Sequence, residues 1–279
     1  MTPLVDVLTK TTEFFKKAGI PSARLDAELI LGHVLGLDRV KVYLNFDRPL
    51  KDEELDAIRP LVRRRASREP LAWVLGHKEF HGRDFVVTPG VLVSRPDTET
   101  LVDAALEWIE GGFVADVGSG TGCIGLTLAL ERDIRLYAID LSPEALAATK
   151  ANVEKHGLKE RVAVLRGDLL TPIPPARPVD WIVSNPPYIP SAEIDGLEAE
   201  VRREPRLALD GGLDGLDAYR SLIPAAAARA RMGVLVEVGK GQADAVSAMM
   251  RAEGLEADTV KDLAGVERVV RGRRSVSSP

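Results

Sequence analysis

The tetrapeptide Asn185-Pro186-Pro187-Tyr188 follows an apolar stretch, Asp180–Ser184, that we predict to be a strand. Its two prolines stiffen the backbone and remove two N–H donors, so the segment presents mainly acceptors. These acceptors are the side-chain oxygen of Asn185 and the carbonyl of Pro186, and Tyr188 adds a flat aromatic face. Together they could hold a planar –NH2 group by its two hydrogens and its π face.

Such an arrangement would address a specific chemical difficulty. An amide nitrogen is a poor nucleophile because its lone pair is delocalised into the carbonyl. Two fixed acceptors can orient the –NH2 group and stabilise the positive charge that develops on nitrogen as it attacks. A methyl donor held in line would complete the reaction, and the nitrogen could lose its proton afterwards. The alternative is a rigid proline turn without a chemical role.

A glycine-rich loop precedes this motif in the chain. Residues 114–122 read VADVGSGTG, and we predict that they end a strand and open a helix. Glycines adopt positive φ and let the backbone approach a ligand closely, beside the free N–H groups of the first helical turn. The loop residues expected to contact a ligand are Asp116, Gly118, Ser119, Gly120, Thr121 and Gly122.

Two further acids end the next two predicted strands. Asp140 lies 22 residues after Gly118, where a carboxylate can accept both hydroxyls of a ribose. Asp168 is expected beside the adenine. Leu141 and Leu169, which follow these acids in the chain, complete the predicted cofactor contacts.

A dinucleotide and S-adenosylmethionine both fit this pattern. Residues 120–125 match G-x-G-x-x-G, although the match starts two residues late relative to the end of the strand. Asp116 would repel an anionic pyrophosphate, whereas the ammonium and sulfonium of S-adenosylmethionine suit an adjacent acid. The acids therefore favour S-adenosylmethionine, the alternative being a tight strand–helix turn with ordinary surface acids.

Composition limits the class of protein. The 279 residues are 45% hydrophobic, carry a net charge of -5 and include one Cys and four His. This length suggests roughly two domains, and one cysteine excludes a disulfide framework. The histidines lack metal-ligand spacing, so we expect no metal. Net acidity argues against coating nucleic acid. Without a long apolar run or a signal-type start, we expect a cytoplasmic protein with no membrane contact.

The elements fall into three regions. Residues 1–70 are predicted to form a helical bundle in which Pro60 kinks or interrupts a helix, and residues 71–95 a β-hairpin linker. In residues 96–279 strands alternate with helices, which indicates an α/β fold with a mostly parallel sheet that binds ligands at the strands' carboxyl ends. The predicted strands are Phe113–Val117, Arg135–Asp140, Arg161–Gly167, Asp180–Ser184 and Val234–Val238, with two more in Glu256–Val270. The tail Gly272–Pro279 is expected to be frayed.

Several blocks together carry a family resemblance. They are LDAELILGHVLG at 25–36, REPL at 68–71, the stretch 76–93, VSRPDTE at 93–99, ADVGSGTG at 115–122, NPPY at 185–188, Glu204-Pro205 and DGGLDGL at 210–216. With these blocks the chain resembles the protein-(glutamine-N5) methyltransferases that act on peptide-chain release factors, the HemK/PrmC family. NPPY alone is shared with enzymes that methylate adenine or guanine amino groups, and the flanking blocks make the resemblance specific.

The resemblance implies a fold and an activity. Residues 96–279 would be a class I, Rossmann-like methyltransferase domain, and residues 1–70 a substrate-recognition domain. The reaction would move a methyl from S-adenosylmethionine to the glutamine of the Gly-Gly-Gln motif in class-1 release factors, leaving S-adenosylhomocysteine. The expected protein is a monomer without direct nucleic-acid binding. The alternatives are a nucleic-acid amino-methyltransferase (adenine N6 or guanine N2) and a non-catalytic cofactor-binding regulator.

The resemblance also assigns residues. The glycine loop and Asp140 would hold the cofactor, Asn185 would contact both cofactor and substrate amide, and the segment from Asn185 to Tyr188, with Arg95, would bind the substrate. The family usually reads Pro-Arg-Pro-Glu-Thr-Glu where this chain has SRPDTE at 94–99. A Trp often follows the acid at position 168. Here Leu169 stands there, and its apolar side chain could replace stacking on the adenine.

Overall fold

A computed structural model describes residues 2–274 of the chain. These residues form two compact units. The helical unit contains the described residues up to His77 together with Glu198–Arg203. The α/β unit contains Lys78–Leu197 and the described residues from Glu204 onward. No helix between residues 2 and 274 combines the length and apolar character needed to span a bilayer.

The helical unit is a small bundle with a two-stranded ribbon. Its elements are β1 (Thr2–Pro3), α1 (Leu4–Lys17), α2 (Ala23–Leu35), α3 (Arg39–Leu44), β2 (Pro49–Leu50), α4 (Asp52–Ala66) and α5 (Leu71–Leu75). Its core is formed by fully buried apolar side chains at helical spacing on α1 and α2, including Leu4, Leu8, Phe15, Ile30 and Leu31. Gly36, at positive φ, ends α2.

A buried arginine holds the segment Glu198–Arg203 in this unit. Arg65 Nε lies 2.7 Å from Asp26 Oδ2, and Arg65 Nη2 lies 2.8 Å from Glu200 Oε1. The neighbouring Arg68 donates from Nε to the same carboxylate at 2.7 Å. A buried guanidinium needs such partners, because its desolvation without them would cost roughly several kcal/mol. The segment Glu198–Arg203 therefore belongs to the helical unit, although the chain on both sides of it belongs to the α/β unit.

Two expectations for this region are wrong. Residues 71–75, predicted as part of a β-hairpin, form the helix α5, which buries Ala72, Trp73 and Val74 and ends at Gly76 with φ 80°. The hairpin itself is shorter, comprising β3 (His77–Phe80) and β4 (Arg83–Val86). Pro60 does not interrupt α4, which continues as helix from Asp52 to Ala66 with the proline inside it.

The α/β unit continues with alternating elements. They are α6 (Glu99–Leu106), β5 (Gly111–Val117), α7 (Cys123–Glu131), β6 (Asp133–Asp140), α8 (Pro143–Lys155), β7 (Val162–Arg166), β8 (Trp181–Ser184), α9 (Asp217–Arg229), β9 (Gly233–Glu237), α10 (Ala243–Ala252), β10 (Leu255–Lys261) and β11 (Glu267–Arg274). Within the described residues, the last seven of these strands form one sheet in the order β10-β11-β9-β8-β5-β6-β7.

The sheet is parallel from β7 to β9 and antiparallel at β11 and β10. One face packs against α6, α7 and α8, and the other against α9 and α10. All the predicted strands are present. The helix α9 was not predicted from the sequence. Gly272–Arg274, expected to be frayed, belong to β11 and pair with β10. The rest of that tail, residues 275–279, lies outside the described residues.

Register brings the predicted site together at one edge. Val117 pairs with Ile139 on β6 and with Ser184 on β8, so Gly118, Asp140 and Asn185 follow neighbouring strand ends. The carboxyl ends of parallel strands meet there, which is where open α/β sheets bind ligands.

Candidate active site

A cavity of about 420 Å³ lies at the carboxyl ends of β5, β6, β7 and β8, within the α/β unit. Its size and mostly apolar wall suit a small organic cofactor. The predicted site residues that line it are Gly118, Gly120, Asp140, Leu141, Asp168, Leu169, Asn185, Pro186 and Pro187. Most of the predicted site residues therefore lie around one space.

The glycine loop leaves room along the wall of this cavity. Gly118 and Gly120 have φ of 73° and 57°, values that residues with a side chain rarely adopt. A Cβ built on either glycine would meet nothing within 4 Å. The Gly118 N–H donates to the carbonyl of Ile139 at 2.9 Å, which fixes the loop to the end of β6. The missing side chains thus keep the space beside the loop free for a ligand.

Asp140 joins the loop to the next strand end. Its Oδ2 accepts the Gly120 N–H at 2.8 Å, and its Oδ1 accepts the Ser142 N–H at 2.9 Å. A carboxylate has about four lone-pair sites, so each oxygen can accept one further hydrogen bond. Asp140 can therefore hold two hydroxyl groups of a ribose while it keeps the loop in place.

Two leucines form part of the apolar lining. Leu141 is half exposed and follows Asp140, and Leu169 follows Asp168 with φ 49°. A left-handed backbone at a non-glycine residue is strained and tends to occur at ligand sites. These side chains offer the flat apolar surface that an adenine ring needs.

The structure places Asp116 away from the cavity lining. It is fully buried under α7, where its Oδ2 accepts the Gly125 N–H at 2.9 Å and its Oδ1 has no hydrogen-bond partner. Burial, with a smaller contribution from the charge of Asp140, raises the pKa of Asp116 to about 7. The ionic contact with a ligand expected for this acid is therefore not offered by the cavity wall. Asp116 instead fixes the start of α7.

Three other loop residues lie behind the lining. Ser119 Oγ is 3.4 Å from Thr149 Oγ1, and the Thr121 carbonyl accepts from Asn152 Nδ2 at 2.9 Å. Gly122 precedes the first residue of α7. These residues shape the loop, and their predicted cofactor contacts have no counterpart in the lining of the cavity.

Asn185 lines the cavity with a defined amide orientation. Its Nδ2 donates to Thr98 Oγ1 at 3.3 Å, so the oxygen Oδ1 is the atom that can accept from a ligand. Pro186 is buried and has no N–H donor. An acceptor pair of Asn185 Oδ1 and the Pro186 carbonyl is thus compatible with the motif as folded.

Tyr188 is oriented differently from the prediction. Its hydroxyl donates to Glu237 Oε1 at 3.2 Å, and its carbonyl accepts from Gln242 Nε2 at 2.9 Å. Burial raises the pKa of Tyr188, and Glu237 raises it further. The ring is not part of the cavity lining, so the expected stacking face is not presented there.

Arg95, a predicted substrate-binding residue, is also outside the lining. Its Nη2 lies 2.7 Å from Glu204 Oε1, and its Nη1 donates to the carbonyl of Val93. The guanidinium is therefore engaged with a buried carboxylate rather than directed at the cavity.

Sequence reasoning did not assign three stretches of the wall to the site. They comprise Val91 and Leu92 before the sheet, Pro205, Leu207 and Ala208 in a loop, and Asp217, Ser221 and Leu222 on α9. The resemblance blocks 76–93 and Glu204-Pro205 reach the first two stretches, whereas α9 carried no such signal.

The geometry fits S-adenosylmethionine. A ribose could be bound by Asp140, an adenine could pack on Leu141 and Leu169, and the glycine loop leaves space for the amino-acid part of the ligand. This sheet order, with a glycine loop after β5 and an acid ending β6, defines a class I S-adenosylmethionine-dependent methyltransferase.

Comparison with known proteins agrees. Residues 6–76 match the PrmC N-terminal domain family, and residues 89–200 match the methyltransferase small domain family. The chain belongs to the family of release factor glutamine methyltransferases. It is 47% identical to the member from Geobacter sulfurreducens, with 96% of this chain and 95% of that protein covered. It is 44% identical to the member from Moorella thermoacetica, with 90% and 91% covered.

Among solved structures, a methyltransferase from Pyrococcus furiosus has a TM-score of 0.54 and 15% sequence identity. The match covers 71% of this chain and 92% of that one. At this identity the likeness concerns the fold alone.

Proposed function

We propose that this enzyme methylates the side-chain nitrogen of the glutamine in the Gly-Gly-Gln motif of class-1 release factors. The observation that carries the proposal is the placement of Asn185 in the same cavity as Gly120 and Asp140, with its amide nitrogen bonded to Thr98. The names of the relatives, which are release factor glutamine methyltransferases, support the choice of substrate.

The residues of this chain act on the substrate amide. S-adenosylmethionine, when bound, supplies an electrophilic methyl on a sulfonium. Asn185 Oδ1 and the Pro186 carbonyl accept the two hydrogens of the glutamine –NH2 and hold its lone pair in line with that methyl. Both acceptors would stabilise the positive charge that develops on the substrate nitrogen during the methyl transfer. The nitrogen then loses its proton to solvent.

We further propose that the helical unit recognises the release factor. On α3, Val40 is 68% exposed and Leu44 is 78% exposed, and Tyr43 beside them is also exposed. Adjacent exposed apolar side chains are typical of protein-binding surfaces. The enzyme would act as a monomer in the cytoplasm, where its substrate works, without binding membranes or nucleic acid.

One assay tests the substrate. The enzyme is incubated with labelled S-adenosylmethionine and, in parallel, with a release factor, rRNA or DNA, and the Gly-Gly-Gln peptide is examined by mass spectrometry. We expect one added methyl on the glutamine, and a rate about a hundredfold lower in Asn185→Ala at saturating cofactor. Methylation of nucleic acid alone would reject the proposal in favour of a nucleic-acid amino-methyltransferase.

A second assay tests the helical unit. The variant Val40→Ser with Leu44→Ser should raise KM for the whole release factor several-fold. The KM for a short Gly-Gly-Gln peptide should stay the same, because the cavity is unchanged. Equal KM values for the whole factor in variant and wild type would reject the recognition surface.

A further inference from the structure

A buried carboxyl lies behind the two polar side chains of the NPPY motif. Glu237 ends β9, next to β8, whose last residue Ser184 precedes Asn185. Its side chain is 1% exposed. Oε1 accepts the Tyr188 hydroxyl, whereas Oε2 has no partner at ordinary hydrogen-bond length among the described residues. A buried acid with an unsatisfied oxygen costs stability and calls for an explanation.

Thr98 connects this acid to the cavity. It is 1% exposed, and its Oγ1 accepts from Asn185 Nδ2 at 3.3 Å. A hydroxyl that accepts from Asn185 still has its own hydrogen to donate. A hydrogen bond from this hydroxyl to the Glu237 carboxyl lowers the pKa of Glu237. The order of groups is therefore Asn185, Thr98, Glu237, Tyr188.

We propose that Glu237 is a positioning residue whose ionised carboxylate, acting through Thr98, keeps the amide oxygen of Asn185 toward the cavity. An ionised carboxylate only accepts hydrogen bonds. The Thr98 hydroxyl must then donate to Glu237 and accept from Asn185 Nδ2. Asn185 Oδ1 is thereby left for the –NH2 group of the substrate, so the inference rests on the proposed function.

Protonation would allow the opposite arrangement. A neutral Glu237 could donate to Thr98, whose hydroxyl could then donate to Asn185. In that case Asn185 Oδ1 would turn toward Thr98 and Nδ2 toward the cavity, where it would face another donor. The same heavy-atom geometry thus supports a competent and an incompetent orientation, and the charge on Glu237 selects between them.

The charged and titratable groups around Glu237 set this balance. Burial raises its pKa to about 7, against the lowering effects of the Thr98 and Tyr188 hydroxyls and of Arg268. The groups that face it from the elements packed around it are Tyr188 in the NPPY segment, Tyr219 on α9, Arg268 on β11, Asp97 before α6 and Cys123 on α7. Tyr219 donates to the Glu237 backbone carbonyl at 2.9 Å rather than to the carboxyl.

The test is the pH profile of kcat for the full-length enzyme with a release factor and saturating S-adenosylmethionine. In the wild type we expect kcat to fall about tenfold per pH unit below about 7. Glu237→Gln, whose amide can donate to Thr98, should lower kcat at least tenfold at pH 8 and remove the inflection. Cofactor affinity, measured by calorimetry, should stay within twofold.

Companion variants keep the test decisive if Glu237→Gln folds poorly. Thr98→Val should match the loss in Glu237→Gln, whereas Thr98→Ser, which retains the hydroxyl, should restore most of the rate and the pH profile. Ser247→Ala, at another buried and unpartnered polar atom on α10, serves as the control and should leave kcat unchanged.

The outcomes separate the two proposals. No methylation of the release factor by the wild type at any pH would reject the proposed function itself. An active wild type whose inflection persists in Glu237→Gln or in Thr98→Val would overturn the positioning role alone. Losses of cofactor affinity and thermal stability parallel to the loss of kcat would assign Glu237 a merely structural role and would also overturn it.

Discussion

Arg95 Nη2 lies 2.7 Å from Glu204 Oε1, although 109 residues separate the two in the chain. The Glu204 side chain is 2% exposed and also accepts the Val93 N–H at 3.1 Å. Burial raises the pKa of Glu204, and Arg95 opposes that rise. Because Leu92 and Pro205 line the cavity, this ion pair holds two parts of its wall together.

Removing Arg95 should therefore loosen the cavity. Arg95→Met leaves a buried carboxylate without its cation, and we expect the free energy of unfolding to fall by about 2 kcal/mol. The KM for S-adenosylmethionine should rise. Combining Arg95→Met with Glu204→Gln should recover part of the lost free energy of unfolding, since no unpaired buried charge then remains. Urea unfolding of the two single variants and the double variant measures this coupling, and strictly additive losses would contradict it.

Two glycines near the loop should respond differently to alanine. At Gly120 a Cβ meets nothing within 4 Å, so Gly120→Ala should cost only the strain of positive φ, about 1–2 kcal/mol, while cofactor affinity falls at least tenfold. At Gly125 a Cβ would lie 2.8 Å from Asp116 Oδ2 and 2.9 Å from Leu136 Cδ1. Gly125→Ala should thus lose more stability, about 1–3 kcal/mol, by overpacking. Thermal unfolding with calorimetric titration distinguishes them, and equal effects on both readouts would refute the contrast.

Asp140 should be required for cofactor binding. Asp140→Ala removes the acceptor for the ribose and also the two backbone hydrogen bonds to Gly120 and Ser142. Affinity for S-adenosylmethionine should fall at least tenfold, about 1.4 kcal/mol, in calorimetric titration. The matched control is Asp133→Ala at the opposite, exposed end of the same strand, which should bind like the wild type. Equal losses in the two variants would contradict a specific role.

Asp116 should make stability depend on pH. Its pKa is about 7 in the folded protein, against roughly 3.9 in an unfolded chain. Between these values the folded state holds more protons, so this group lowers the free energy of unfolding as pH rises from about 4 to 7. Asparagine does not titrate, so Asp116→Asn lacks this pH dependence. Its free energy of unfolding should therefore rise relative to that of the wild type between about pH 4 and 7, by up to about 4 kcal/mol. Urea titrations at pH 4.5, 6 and 8 check the sign, and a constant difference would exclude it.

Local sequence determined much of the fold. The strands were visible as short apolar runs bounded by turns, and the loop around Gly118 together with Asp140 and Asn185 was predicted at the correct strand ends. Strand periodicity and glycine-rich turns are local properties, so they can be read without the rest of the chain. Local pattern failed at residues 71–75, because five mostly apolar residues are compatible with strand or helix and only packing decides.

Within the site, type and position of the residues followed from sequence, whereas direction followed from tertiary contacts. Asp116, Tyr188 and Arg95 have the chemistry expected of ligand-binding groups, yet each is engaged with a distant partner: Gly125, Glu237 and Glu204. Which way a polar side chain points depends on the hydrogen-bond partners that folding brings to it, and those partners lie up to 109 residues away in the chain. The sequence thus determined which groups stand at the sheet edge, and only the packed structure decided which of them face the cavity, because a buried polar group turns toward the hydrogen-bond partners that folding brings within reach.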